Sequence, residues 1–174
     1  MSNVTTNEAK VAVKIDTETA IFSSGCFWGT EYYFQKAEGV VSTVGYTGGS
    51  TENPTYEQVS TSRTGHAEAI KVTYDPTKTS YEKMVKLFYE THDQAQKDGQ
   101  GPDVGTQYRS GIFYANEEQK AIAEKLTEQL KSKGYKVVTE ITKAGPFYKA
   151  ENYHQNYYGN NGESPYCHVY TKKF

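Results

Sequence analysis

Cys26 and Cys167 are the only thiols in this 174-residue chain, and Cys26 lies in Gly25-Cys26-Phe27-Trp28-Gly29, beside its single tryptophan. A thiolate attacks electrophilic sulfur or carbon, and its supply depends on the thiol pKa. Upstream, Thr19-Ala20-Ile21-Phe22-Ser23 has strand character, while residues 30–37 contain no Gly or Pro and read as helix. A cysteine at such a strand-to-helix corner faces unpaired N–H groups and the positive end of a helix dipole. This predicts a lowered pKa and a thiolate at neutral pH. The flanking glycines would leave the sulfur approachable, with Phe27 and Trp28 as an apolar wall. The competing reading is a buried cysteine that serves as a small hydrophobe.

Other segments offer chemistry of their own. Gly65-His66-Ala67-Glu68 opens a predicted strand. A carboxyl group enclosed by aromatics there would be raised by desolvation, keep its proton at neutral pH and act as a general acid. A solvated loop glutamate is the alternative. His66 reads as a structural, hydrogen-bonding histidine. His66-Ala67-Glu68 followed by Pro165-Tyr166-Cys167 also resembles a zinc deaminase pattern. No Cys-x-x-Cys follows, however, and His92, Asp93, His154 and His168 lack the pairwise spacing of a metal site. The stretch from Asp103 through Gly105 and Tyr108 to Ser110 presents an Asp and a Tyr near a strand start. Asn53-Pro54-Thr55-Tyr56 is a turn whose tyrosine suits either a core or a site. Cys167 follows Gly159 and Gly162, which predict an arm mobile enough to carry it to Cys26. A permanent bridge is the alternative and needs Cα atoms within about 7 Å.

The elements that must position these groups follow from periodicity and capping. Strands are predicted at Ala20–Ser24, Val40–Tyr46, Ala69–Tyr74, Tyr108–Tyr114 and Lys136–Ile141. A helix opening at Thr79, with Glu82 three residues on, sets Tyr81, Val85 and Phe88 on one face. A second opens at Asn116 with Gln119 three residues on, has the stripe Ile122, Ala123, Leu126 and Leu130, and stops at Gly134. The order predicts an α+β fold, a two-layer sandwich of helices on a mostly antiparallel sheet. Residues 1–18 read as a solvated tail and 19–174 as one catalytic domain, whose segment 146–174 is an irregular arm with no regular period.

Composition bounds the function classes. Leucine occurs only at 87, 126 and 130, but sixteen tyrosines supply buried area in its place. A net charge of −2 gives no footprint for nucleic acid or an anionic membrane surface. No apolar run is long enough to span a bilayer, and residues 1–18 lack the apolar core of a signal peptide. We therefore expect a cytoplasmic monomer in which two cysteines are reactive rather than structural.

Several motifs together resemble the peptide-methionine (S)-S-oxide reductases, the A-type methionine sulfoxide reductases. They are Gly25-Cys26-Phe27-Trp28-Gly29, Gly45-Tyr46-Thr47-Gly48-Gly49, Asn53-Pro54-Thr55-Tyr56, Thr64-Gly65-His66-Ala67-Glu68, Tyr74-Asp75-Pro76, Gly105-Thr106-Gln107-Tyr108-Arg109-Ser110, and residues 147–155 from Phe147 to Gln155. They stand in the family's order across roughly residues 20–158. One departure is Gln94, where the family usually has Pro, and it is expected to alter only a loop.

The resemblance implies a ferredoxin-like plait and thiol-dependent reduction of methionine S-sulfoxide, free and in proteins. Cys26 would attack the sulfur and Glu68 would protonate the oxygen, with the Tyr56 and Tyr108 hydroxyls helping to hold it. Phe27 and Trp28 would receive the S-methyl group, and Asp103 and His154 would complete the substrate site. Cys26 then becomes a sulfenic acid, which Cys167 would convert to a disulfide for thioredoxin to reopen. No metal or bound cofactor is required. Two other thiol functions compete: a redox-sensing dithiol interaction protein and a peroxide-reducing enzyme. Neither needs a neutral carboxylic acid beside an aromatic methyl pocket.

Overall fold

Side-chain alternation and helix capping account for most of the architecture. The computed structural model describes residues 16–174. Six strands, β1 (Glu18–Ser24), β2 (Val40–Thr47), β3 (Ala67–Tyr74), β6 (Ser110–Tyr114), β7 (Glu140–Lys143) and β8 (Phe147–Lys149), form one sheet in the order β7-β6-β1-β3-β2-β8. Every pairing is antiparallel except β6 with β7. A small hairpin joins β4 (Gly99–Gln100) to β5 (Asp103–Val104). The helices are α1 (Phe27–Phe34), α2 (Tyr56–Ser60), α3 (Tyr81–Glu90), α4 (Glu117–Ser132) and α5 (Tyr157–Asn161).

Period two along the strands directs Ala20 and Phe22 of β1, Ile70, Val72 and Tyr74 of β3, and Ile112 of β6 into one core. Phe34 of α1, Tyr81 to Tyr89 of α3, and Ala123, Leu126 and Leu130 of α4 close over it. Aromatics do the filling: Phe22 stacks on Phe34, Phe88 and Tyr81 with centroids 5.4, 5.2 and 6.1 Å away. Burying each such ring stabilises the fold by about 1.5–3 kcal/mol. Tyrosine hydroxyls reach partners, as Tyr89 does at Thr127 (2.6 Å) and Tyr74 at Glu18 (2.7 Å). A second cluster of Phe27, Val44, Tyr46, Val59 and Ala150, with Trp28 and Tyr56 against it, lies beside the start of α1.

The predicted elements are present with shifted ends. Helix α4 opens as expected, Asn116 accepting from the Gln119 N–H, and stops in a Schellman turn at Gly134 (φ +92°). The α3 cap is Ser80 rather than Thr79, because Ser80 Oγ takes the Lys83 N–H while the Thr79 N–H is already bound to Asp75. Helix α1 begins at Phe27, earlier than residue 30, so the nucleophile candidate is itself the N-cap. Residues 106–108 form a 3-10 turn, and β6 starts only at Ser110. The strand expected at Lys136–Ile141 lies at Glu140–Lys143, since the backbone of Lys136 and Val138 is bound to Gln94. The arm is less irregular than expected, holding β8, a 3-10 turn at 152–154 and α5. Of the predicted tail, residues 1–15 lie outside the described residues, and Glu18 belongs to β1.

Candidate active site

Strand β1 ends at Ser24, the chain turns through Gly25 at φ +92°, and Cys26 caps α1. The Cys26 carbonyl accepts from the N–H groups of Gly29 (3.1 Å) and Thr30 (3.3 Å), which fixes the corner. The glycines do not open the sulfur to solvent. A Cβ on Gly25 would lie 2.5 Å from Gln100, and one on Gly29 would lie 2.3 Å from the His168 ring. These glycines let other elements close over Cys26, which is only 8% exposed.

That closure overturns the expected thiolate. Burial pushes the Cys26 thiol well above its ordinary value, and the nearby Glu68 charge raises it further. The Trp28 backbone N–H pulls the other way, as a helix start should, but loses to desolvation.

Glu68 occupies the second position of β3, opposite Tyr46, on the face that Ile70 and Val72 turn toward the helices. Its Oε1 accepts the Phe27 N–H at 3.3 Å, so the carboxyl lies directly beside the start of α1. Its Oε2 is buried and has no hydrogen-bond partner among the described residues. Burial is the main cause of a pKa raised to about 8, opposed by the Phe27 hydrogen bond and aided by the Asp103 charge. A pKa of about 8 keeps the group protonated at neutral pH, with no hydrogen-bond partner at Oε2 among the described residues.

Tyr56, at the start of α2, and Tyr108, on the 3-10 turn, are half-buried around the same space. Burial raises both hydroxyls, and the charges of Glu68 and Cys26 raise both further. Asp103 on β5 and Cys167 on the arm also act on Cys26, bringing the sequence-derived set together.

Phe27 is completely buried and supports the site from beneath, 5.7 Å from the Tyr46 ring. Trp28 is partly exposed, stacks flat on Tyr157 at 3.6 Å and meets the edge of Tyr158. Its indole N–H donates to His154 Nδ1 at 2.9 Å. His154 is wholly buried between Tyr56 and Phe27, with its pKa lowered by burial, and so sits behind Trp28.

Sequence reasoning missed Tyr157, Tyr158, Glu31 and His168. Glu31 accepts from Ser42 Oγ at 2.8 Å and from the Asn156 N–H, pinning the arm to α1. His66 bonds the Gly49 N–H (3.0 Å) and the Thr51 carbonyl (2.7 Å), the structural role expected. Gln94 does more than alter a loop. It bonds the Lys136 carbonyl at 3.0 Å and accepts from Lys173 Nζ at 2.6 Å, tying the end of the arm to the body.

The peptide methionine sulfoxide reductase family model matches residues 18–174. A curated relative, "Peptide methionine sulfoxide reductase MsrA" of Pasteurella multocida, is 49% identical over 161 residues, covering 91% of this chain and 92% of the relative. The crystal structure of Mxr1 from Saccharomyces cerevisiae in reduced form superposes with a TM-score of 0.82 at 32% identity, covering 91% of this chain and 93% of that one. The same yeast protein in complex with Trx2 matches with a TM-score of 0.60 at 26% identity, over 92% and 96%. This chain belongs to the peptide methionine sulfoxide reductase family.

Proposed function

We propose that the chain reduces methionine S-sulfoxide, free and in proteins, to methionine, and is recycled by thioredoxin. The observation that carries this reading is Glu68, a buried neutral acid with an unpartnered Oε2 next to the Cys26 corner. Sulfoxide oxygen carries negative charge and supplies the missing acceptor. Its sulfur is electrophilic and presents itself to Cys26. Protonating the oxygen makes sulfur more electrophilic, which suits a thiol that rests protonated. The Tyr56 and Tyr108 hydroxyls hold the oxygen as it gains a proton, and Asp103 borders the same space.

Trp28, held by His154 and Tyr157, forms the methyl seat, with Phe27 behind it. The indole π-face favours the positive charge that grows on sulfur. Methionine leaves, Cys26 becomes a sulfenic acid, and Cys167 closes a disulfide with loss of water. A cleft of about 530 Å³ lined by Cys167, His92, Gln100 and Lys173 offers an external dithiol a path to Cys167.

The order β6-β1-β3-β2, with α1 and α3 as crossovers, supports reading the central strands as a two-layer ferredoxin-like plait. Among the described residues no helix is long and apolar enough to cross a membrane. We read the protein as a monomer acting in the cytoplasm. The test is methionine formation from the separate S and R epimers with dithiothreitol. We expect turnover of the S epimer alone; equal turnover of both, or of neither, would contradict the reading.

A further inference from the structure

His168 is the arm residue most closely fitted to the nucleophile corner, and neither the sulfoxide chemistry nor the core explains it. Its ring is 1% exposed and lies in the space left by Gly29, inside the first turns of α1. Nε2 lies 2.6 Å from the carbonyl oxygen of Ser24, which can only accept, so Nε2 carries the proton. Nδ1 is then the bare nitrogen, and it lies 3.2 Å from Cys167 Sγ. Burial lowers the His168 pKa despite the Ser24 bond and the Asp103 charge, which keeps the ring neutral and able to accept. Cys167 needs such an acceptor. Burial and the neighbouring Asp103 carboxylate, which also hydrogen-bonds the thiol, push it up to about 12, so almost none is thiolate at neutral pH.

We propose that His168 is the catalytic base of disulfide closure, taking the Cys167 proton on Nδ1 as Sγ attacks the Cys26 sulfenic acid. This rests on the reading of Cys167 as the resolving thiol. The step balances without an outside reagent. The Cys167–Cys26 S–S bond forms and the Cys26 S–O bond breaks. Cys167 sulfur is oxidised and Cys26 sulfur reduced. The departing hydroxyl takes the proton from Nδ1 and leaves as water, restoring neutral His168. Ser24, two residues before the nucleophile, fixes the tautomer throughout.

The test follows the two steps separately after mixing enzyme with a slight excess of methionine sulfoxide and no reductant. Methionine is measured by chromatography, and the Cys26–Cys167 disulfide by acid quench, alkylation and mass spectrometry. His168→Gln keeps an N–H able to reach the Ser24 carbonyl but offers no base. We expect its ratio of disulfide rate to methionine rate to fall by on the order of 10²-fold or more. Tyr33→Phe removes a different anchor of the same segment, the 3.1 Å hydroxyl bond to the His168 carbonyl, and leaves the ring in place. Its ratio should stay near that of the unaltered enzyme.

A wild-type ratio in His168→Gln would overturn the proposal. So would an equal fall in Tyr33→Phe, because docking alone would then explain both. If the unaltered enzyme forms no Cys26–Cys167 disulfide, the reading of Cys167 fails and this step falls with it. Should His168→Gln not fold, ¹⁵N NMR of the unaltered reduced enzyme decides the tautomer: Nε2–H with a bare Nδ1 supports the base, and Nδ1–H excludes it.

Discussion

The Cys26 corner and the Cys167 arm hold their thiols by opposite means. Cys26 is set by secondary structure, between the end of β1 and the first turn of α1, with the Phe27 cluster packed beneath. Cys167 lies in a segment without helix or strand, held by individual contacts such as His168 on Ser24 and Tyr166 on Asp103 at 3.0 Å. Farther on, Lys173 Nζ reaches the carbonyls of Tyr89 (2.6 Å) and His92 (2.9 Å). A position fixed by backbone ladders resists displacement. A position fixed by a few side chains can shift when one partner changes chemistry. Of the two glycines expected to loosen the approach, Gly159 lies inside α5 and Gly162 caps it at φ +65°, and residues 163–166 then run without helix or strand. Both thiols rest protonated because both are desolvated, so each depends on a neighbouring group to handle a proton.

The sharpest way to break the contrast is to remove the fixed thiol. Cys26→Ser should abolish the burst of methionine in single-turnover experiments; a substantial residual burst would remove Cys26 from its role.

Glu68→Gln comes next, keeping shape but losing the proton, and should slow the chemical step by on the order of 10²- to 10⁴-fold. The acid is protonated below its raised pKa of about 8, so the unaltered enzyme should lose single-turnover rate as pH rises through that value. The Gln variant should show no such fall. Stopped or quenched-flow rates across this range check both points.

Cys167→Ser acts on the arm alone. It should retain about one methionine per enzyme, lose cycling with thioredoxin, and still cycle with dithiothreitol, which reaches the sulfenic acid directly. Multiple-turnover assays with the two reductants separate these outcomes. Equal cycling with thioredoxin would show the arm to be dispensable.

The smallest effect concerns anchorage. Gln94→Ala removes the acceptor from Lys173 and the donor to Lys136, and should cost about 1 kcal/mol of stability per lost bond. Urea unfolding measures that loss. An unchanged midpoint would show that the arm is held without Gln94.

Where local chemistry decides structure, the chain could be read directly. Asn116 and Gly134 mark α4 because a cap and a positive φ are local demands, and the alternation through β3 already aims Glu68 at the helical layer. The ordered motifs already group Cys26, Tyr56, Glu68 and Tyr108, while Asp103 lies just before the motif that carries Tyr108. What failed was tertiary. The helix-dipole argument for a Cys26 thiolate counted the local field but not the burial of a corner against whose glycines Gln100 and His168 pack. The shift of β7 came from Gln94, and the order in the arm from Glu31 and Trp28. These partners lie far apart in sequence, and no period or cap signals them. A histidine directly after the second cysteine was visible but carried no meaning until Gly29 and Ser24 were seen to receive it.

The central claim is that Glu68 holds a proton in readiness for the sulfoxide oxygen, and infrared difference spectroscopy observes that proton. The reduced enzyme at neutral pH, compared with Glu68→Gln, should show one additional C=O stretch of a protonated carboxyl group. That band should give way to carboxylate bands as the pH is raised through about 8. A carboxylate signal from Glu68 already present at neutral pH would contradict the account, because an ionised Glu68 has no proton to give.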